Sequence, residues 1–265
     1  MADTESSLAT RKPTRMELLS RVRFEPHRHH RAKFGFIVLA MEQTAEEDLY
    51  RTIPQGIGVH FSRVPMANEA RVDALIATRE HLPGAAKLLL PFDQLDVLSY
   101  TCTAASLLLG EEETTRLLAS GGNARKVVTA AGASVRALRA VQAKRVVAVT
   151  PYGEQVNRAL IDRLAFEGIE TLELVPLPVK TNIEVDSISP EYLRALGLEL
   201  LRQHPSADAL YFCCGAMRSI EAIEAVERES GRPVIASNQA ILWDCLRQAG
   251  LMDRLPGLGM LLANS

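Results

Sequence analysis

From Phe34 onward the chain alternates short apolar runs with longer stretches in which apolar residues recur every three or four positions. The short runs are "FGFIVLA" at 34–40, "GVHFSRV" at 58–64, "DVLSYT" at 96–101, "RVVAVT" at 145–150, "TLELVPL" at 171–177, "ALYFCC" at 209–214 and "PVIAS" at 233–237. Runs of this length, enriched in β-branched and aromatic residues, predict strands. The periodic stretches 154–168, 190–204, 219–231 and 238–250 predict helices, two of them stopping at Gly168 and Gly231. Glycine adopts the left-handed conformation that ends a helix without a steric penalty. Near-continuous apolar strands separated by helices predict an α/β fold with parallel sheets covered on both faces.

The pattern repeats. "AKFGFIVLA" (32–40) matches "AKRVVAVTP" (143–151), "DVLSYTCTAAS" (96–106) matches "DALYFCCGAMRS" (208–219), and "KVVTAAG" (126–132) matches "RPVIASN" (232–238), in the same order. Lys33 precedes Cys102 by 69 residues, and Lys144 precedes Cys214 by 70. Three matches in register predict two related α/β lobes. The equal spacing from Asp96 to Cys102 and from Asp208 to Cys214 pairs those cysteines, and leaves Cys213 opposite Thr101. Strand alternation sends Cys213 and Cys214 to opposite faces if the strand continues that far.

Residues 1–33 stand outside this pattern, with eight basic residues against four acidic ones and the segment "PHRHHR". They read as a flexible basic arm, and consecutive histidines lack the spacing of a defined metal-ligand set.

Composition narrows the function classes. The 265 residues are enough for a substantial core, and a net charge of -2 points away from nucleic acid as the main partner. No apolar stretch has the length of a membrane span, and the N-terminus lacks a secretory apolar block, so a cytoplasmic location is expected. Four cysteines make no disulfide framework and fit a reducing compartment. There is no G-x-G-x-x-G after a strand, no P-loop and no G-x-S-x-G elbow. Neither a bound dinucleotide nor an NTP is expected, and no metal site.

The paired cysteines carry the chemistry. Cys102 and Cys214 are expected to end equivalent strands and open the following helices, where ligands bind in parallel α/β sheets. Helix N-termini there hold carboxylates and lower thiol pKa values. The small neighbours Thr103, Ala104, Gly215 and Ala216 let a ligand approach the backbone. Two opposed thiols suit a carbon acid: one removes a proton or adds to a double bond, and the other delivers a proton from the far face. Cys213 and Cys245 read as packing. Thr150, Tyr152 and Asn157 follow the matching strand of the second lobe and are candidates to bind a carboxylate. Asn182 is a polar loop residue, Ser237 or Asn238 a helix cap. The acids of "EQTAEED" (42–48) read first as an acidic helical turn.

Taken together, "YTCTAAS" and "CGAMRSIEAIEAVERESGRPVIASNQAILWDCLRQAGL" resemble the aspartate/glutamate racemase superfamily. The nearer likeness is to its branch of maleate cis–trans isomerases, arylmalonate decarboxylases and ectoine-utilisation EutA-like proteins, over about residues 35–251. The resemblance implies two pseudo-symmetric lobes with the active site between them, and a late segment packing back on the first. It places residues 34–125 with about 232–265 in one lobe and 126–231 in the other. It further implies Cys102 and Cys214 as catalytic thiols, Tyr152 and Asn182 as substrate-binding residues, and no cofactor; Thr103 and Gly215, the small residues after the thiols, are expected substrate ligands as well. Maleate isomerases carry an asparagine in the first strand-to-helix loop; here Glu42 or Gln43 takes that place, and Gln43 is the expected substrate ligand. "SNQAILWDCLR" resembles the ectoine-utilisation branch.

The expected activity is therefore a cofactor-independent isomerase or racemase of a small carboxylic or dicarboxylic acid. Cys102 is assigned as nucleophile and Cys214 as acid/base, and a homodimer is the expected assembly. The alternatives are a metabolite-binding protein that keeps the cleft, and a decarboxylase-like lyase.

Overall fold

A computed structural model describes residues 12–25, 28–68 and 71–264 of the chain. Its framework is eight strands: β1 (Ala32–Leu39), β2 (Ile57–Val64), β3 (Leu95–Tyr100), β4 (Ala124–Thr129), β5 (Arg145–Thr150), β6 (Glu170–Pro176), β7 (Ala209–Phe212) and β8 (Val234–Ala236). They form two four-stranded sheets, ordered β2-β1-β3-β4 and β6-β5-β7-β8, with every pairing parallel. The second order repeats the first with each strand four places on, which is the repeat seen in the sequence.

The matched residues do matched work. Asp96 Oδ2 accepts from the Lys33 N–H at 2.8 Å, and Asp208 Oδ2 accepts from the Lys144 N–H at 3.0 Å and the Arg145 N–H at 2.8 Å. The Thr101 N–H donates to the Ile37 carbonyl at 3.0 Å, and the Cys213 N–H to the Val149 carbonyl at 2.9 Å. In each half an aspartate ties the start of the central strand to its neighbour, and a ladder bond fixes where the cysteine-bearing strand ends.

Helices cover both faces, as parallel strands buried on both sides require. The predicted helices form at Glu154–Phe166, Pro190–Gln203, Ile220–Ser230 and Ser237–Gln248. Gly231 ends the third at φ 68°, the left-handed conformation expected of it. One apolar core joins the first sheet to one face of the second through Tyr100, Val146, Ala148, Tyr211 and Cys213.

The lobe limits expected at 125/126 and 231/232 differ from the sheet limits. Residues 126–129 lie in β4 of the first sheet, and β8 hydrogen-bonds in the second. What crosses is the helix after each: Ala130–Ala140 packs on Ser237–Gln248, and the latter also packs on β3 and β4. Of the N-terminal arm, residues 1–11, 26 and 27 lie outside the described residues. The arm carries a helix, Arg15–Leu19, with a Thr14/Glu17 capping box and no buried residue. Nearer the sheet, Arg31 pairs with Asp253 at 2.6 Å, and the His29 ring meets the edge of His60.

Candidate active site

Strands β3 and β7 end two residues before Cys102 and Cys214, and both thiols line one small cavity of about 40 Å³. Its wall also includes Leu39, Glu42, Ala45, Thr103, Tyr152, Asn182 and Gly215. Segments from both sheets therefore meet here at strand carboxyl ends, where the repeat placed the site.

Cys102 is the N-cap of the helix Thr103–Leu109, its Sγ accepting from the Ala105 N–H at 3.4 Å. Cys214 differs from expectation. A turn of residues 215–219 follows it, and the next helix begins only at Ile220. Gly215 in that turn is required by a close approach: a Cβ there would sit 2.8 Å from Asn238 Oδ1. Strand β7 ends at Phe212, so alternation does not reach the cysteines; Cys213 is nonetheless fully buried in the joint core, and Cys245 is buried as well.

The expectation of lowered thiol pKa values is overturned. Burial pushes Cys102 up to about 12, against the pull of the Ala105 N–H, and the neighbouring Cys214 adds to the rise. Burial likewise pushes Cys214 up to about 11, against the pull of the Tyr152 hydroxyl and the Ala216 N–H, with Glu42 pushing it higher. One or two N–H groups do not offset the loss of water around a charged sulfur. Both thiols rest neutral at pH 7.

The structure brings Cys102, Thr103, Tyr152, Asn182, Cys214 and Gly215 to the cavity and leaves Gln43 outside it. Gln43 lines a separate, open cavity of about 420 Å³ and reaches Asp186 Oδ2 at 3.4 Å. Glu42 turns inward instead, because the Thr44 and Ala45 N–H groups, each 2.8 Å from Oε1, fold its side chain back over the loop. Arg63 holds that loop from outside, donating to the carbonyls of Leu39, Ala40 and Glu42 at 3.0–3.2 Å.

Three further assignments change. Thr150 donates to Asn157 Oδ1 at 2.6 Å, and Asn157 Nδ2 donates to the Tyr152 carbonyl at 2.7 Å, so these two shape the turn that presents Tyr152. Neither Ser237 nor Asn238 caps its helix; Ala236 occupies the cap, and its N–H donates to Gln239 Oε1 at 3.1 Å. Asn238 Nδ2 instead bridges the Gly215 carbonyl at 2.7 Å and Asp48 Oδ2 at 2.8 Å. Thr103 Oγ1 donates to Ser237 Oγ at 3.1 Å, which fixes the hydroxyl beside Cys102.

Sequence reading missed Asp186. It accepts from Thr44 Oγ1 at 3.1 Å and Asn182 Nδ2 at 3.0 Å, and so ties the helix Asn182–Asp186, whose Asn182 lines the thiol cavity, to the loop after β1; Asp186 itself lines the open cavity beside Gln43. The signal was the i,i+4 pair Asn182/Asp186 in a loop otherwise read as a turn. Among the described residues no group of three or more His, Cys, Asp or Glu is placed to hold a metal ion. Among them, too, no helix is long and apolar enough to cross a membrane.

Two parallel α/β sheets related by an internal repeat, with one cysteine from each on a shared cavity, define a two-lobed, two-thiol α/β protein. The chain belongs to the arylmalonate decarboxylase family (Amdase), whose model matches residues 85–262. It is 30% identical over 244 residues to maleate isomerase of Nocardia farcinica, covering 87% of this chain and 95% of the relative. It is 28% identical to arylmalonate decarboxylase of Bordetella bronchiseptica, covering 82% of this chain and 89% of that one. Among solved structures it superposes, with a TM-score of 0.79 and 29% identity, on a mutant Nocardia farcinica maleate cis–trans isomerase with a covalently bound succinylcysteine intermediate. That match covers 88% of this chain and 99% of the other.

Proposed function

We propose that the protein interconverts the cis and trans forms of a four-carbon unsaturated dicarboxylic acid such as maleate, using Cys102 and Cys214 and no cofactor. The observation that carries this reading is that both thiols, following equivalent strand ends of the two sheets, line one small cavity. The covalent succinylcysteine of the Nocardia farcinica relative is what adding one thiol across such a double bond yields.

The steps balance as follows. Cys102 Sγ bonds to one olefinic carbon as it loses its proton, and the π electrons move to the neighbouring carbon. Cys214 delivers its proton to that carbon and is restored by the proton that Cys102 released. The former double bond, now single, rotates. Reversal, with loss of the added proton and cleavage of the C–S bond, frees the trans acid. Decarboxylation would need only one proton donor, so the second thiol favours isomerisation within this family.

The segment "SNQAILWDCLR" gives no support of its own to an ectoine-derived substrate, because Ser237, Asn238 and Gln239 are all used in packing and capping. Four free cysteines suit a reducing cytoplasm. The test is proton NMR of maleate with the purified protein. Fumarate should appear with the unchanged chain and not with Cys102→Ser or Cys214→Ser, and mass spectrometry of a slowed variant should show a maleate adduct on Cys102. Absence of both fumarate and adduct with the unchanged chain overturns the reading.

A further inference from the structure

The loop after β1 sets a carboxyl on the wall of a cavity otherwise lined by thiols, hydroxyls, an amide and apolar groups. Glu42 is 7% exposed and shares this wall with both cysteines. Its Oε1 is held by two N–H donors, whereas its Oε2 is buried and has no partner. An unpaired buried polar atom costs about 1–3 kcal/mol, so one kept at a cavity wall marks a ligand contact. Two N–H groups donating to Oε1 leave Oε2 as the oxygen that carries the proton when the carboxyl is neutral.

We propose that Glu42 recognises the substrate as a neutral carboxyl, its Oε2–H donating a hydrogen bond to a substrate carboxylate oxygen. The inference rests on the two-thiol reading of the cavity and sharpens it: the ligand is a dicarboxylate that binds together with a proton.

The surroundings favour the neutral form. Burial pushes Glu42 up to about 7, the Ala45 and Thr44 N–H groups pull it back, and Asp186 and Asp48 push it further up. Asp186 stands on the helix Asn182–Asp186 and Asp48 on the helix Ala45–Thr52. Cys102, Cys214 and Tyr152 face the same cavity as neutral groups. The nearest cation bonded to this loop, Arg63 on β2, contacts the Glu42 carbonyl and not its carboxyl. A dianion entering such a site needs a donor there, because an ionised wall carboxylate would repel it. An ammonium or amide ligand would instead call for ionised Glu42, which the clustered acids oppose.

The test is calorimetric titration of the full chain with succinate, a four-carbon dicarboxylate with no double bond to isomerise, in two buffers of different protonation enthalpy. At pH 8 the unchanged protein should take up close to one proton per succinate, and affinity should fall about tenfold per pH unit above about pH 7. Glu42→Gln should bind without uptake and with affinity independent of pH in that range. Asp48→Asn, which removes a neighbouring acid, should move the midpoint to lower pH, and this second readout serves if Glu42→Gln does not fold. No uptake, uptake unchanged in Glu42→Gln, an unmoved midpoint in Asp48→Asn, or no binding of either succinate or maleate overturns the proposal. So does tighter binding of maleamate, the monoamide, than of maleate. Fumarate formation is read separately: its absence alongside Glu42-dependent uptake removes the isomerase reading and leaves this one standing.

Discussion

Thr44 Oγ1 donates to Asp186 Oδ1 at 3.1 Å across 142 residues of sequence, joining the first strand-to-helix loop to a helix of the second half. The same Thr44 hydroxyl lies 3.0 Å from the Ala216 carbonyl, in the turn after Cys214. Three segments, 41–45, 182–186 and 214–216, are thereby held together beside a cavity of about 40 Å³. That space holds little more than a water molecule, whose share of liquid volume is about 30 Å³. A four-carbon diacid needs more room than that, which an outward shift of these segments would supply.

Asp186→Ala should therefore loosen this junction. The variant loses the bonds to Thr44 and Asn182, at a cost of about 1–3 kcal/mol if nothing replaces them. Hydrogen exchange of residues 180–188 should become faster, and the apparent KM for maleate should change more than the stability of the two sheets. Unchanged exchange in that segment would show that the junction is held by something else.

The three cysteines near the strand ends should separate cleanly. Cys102→Ser and Cys214→Ser should each lower turnover by about three orders of magnitude or more, since each removes a group that acts on the reacting carbons. Cys213→Ser should leave turnover close to that of the unchanged protein. It should lower stability by no more than about 1 kcal/mol, because its hydroxyl enters the core beside the otherwise unpartnered Tyr211 hydroxyl, which can bond to it. Activity assays and thermal melts of the three variants check this.

The different placement of the three cysteines, Cys102 and Cys214 at the cavity and Cys213 in the core, was legible in the sequence. Equal spacing from Asp96 and Asp208 to their cysteines is a consequence of one fold built twice, and the structure shows the two aspartates making equivalent bonds. The sheets were legible because parallel strands buried on both faces must be apolar throughout. The inward turn of Glu42 was not, since "EQTAEED" fits an acidic first helical turn equally well; only the bonds from Thr44 and Ala45 select Glu42 over Gln43. Asp186 was illegible for a related reason, as its partner Thr44 lies in the other half of the chain. The neutral state of the thiols follows from burial depth, a tertiary property that no local pattern reports.

The raised thiol pKa values predict slow alkylation. In the ligand-free protein the rate with iodoacetamide at Cys102 and Cys214 should be far below that of an exposed cysteine at pH 7. It should rise about tenfold per pH unit well beyond pH 9, because the thiolate is the nucleophile and burial holds the two thiols up to about 12 and about 11. Mass-resolved alkylation across pH 7–10 checks this; a plateau near pH 8.5 would show that the thiols are not desolvated.

Stability should fall as pH rises through the neutral range. Burial lifts Glu42 from 4.5 to about 7 and Asp48 from 3.8 to about 6. A carboxyl whose pKa is raised by folding stabilises the folded state fully below its unfolded value, and that contribution is lost as pH climbs through the folded value. The loss should run from about pH 4 to pH 7 and amount to a few kcal/mol at the order-of-magnitude level. Carboxyls held low by arginines, such as Glu111 and Asp208, act in the opposite sense but only at lower pH. Denaturant titrations between pH 5 and pH 7.5 isolate the effect, and Glu42→Gln should flatten it.

The crossing helices should depend on one ion cluster. Arg136, on the helix Ala130–Ala140, donates to Asp244 on Ser237–Gln248 through Nη2 at 2.7 Å and Nε at 3.0 Å, and to Glu111 through Nη1 at 2.8 Å. Arg163 completes the set, reaching Glu111 at 2.8 Å. The Asp244 side chain is 1% exposed, whereas that of Arg136 is 33% exposed. Breaking a buried pair costs about 3–5 kcal/mol because a charge is left without a partner, and water at the open side of Arg136 lowers that to about 2–3 kcal/mol. Asp244→Ala should show this loss in denaturant unfolding, with little change between 0.1 and 1 M salt because Asp244 is shielded from ions. Asp244 lies outside the thiol cavity, so the activity of the folded fraction should persist. A loss that vanishes at high salt would show that the pair is a surface contact and that the crossing helices are held by their apolar faces alone.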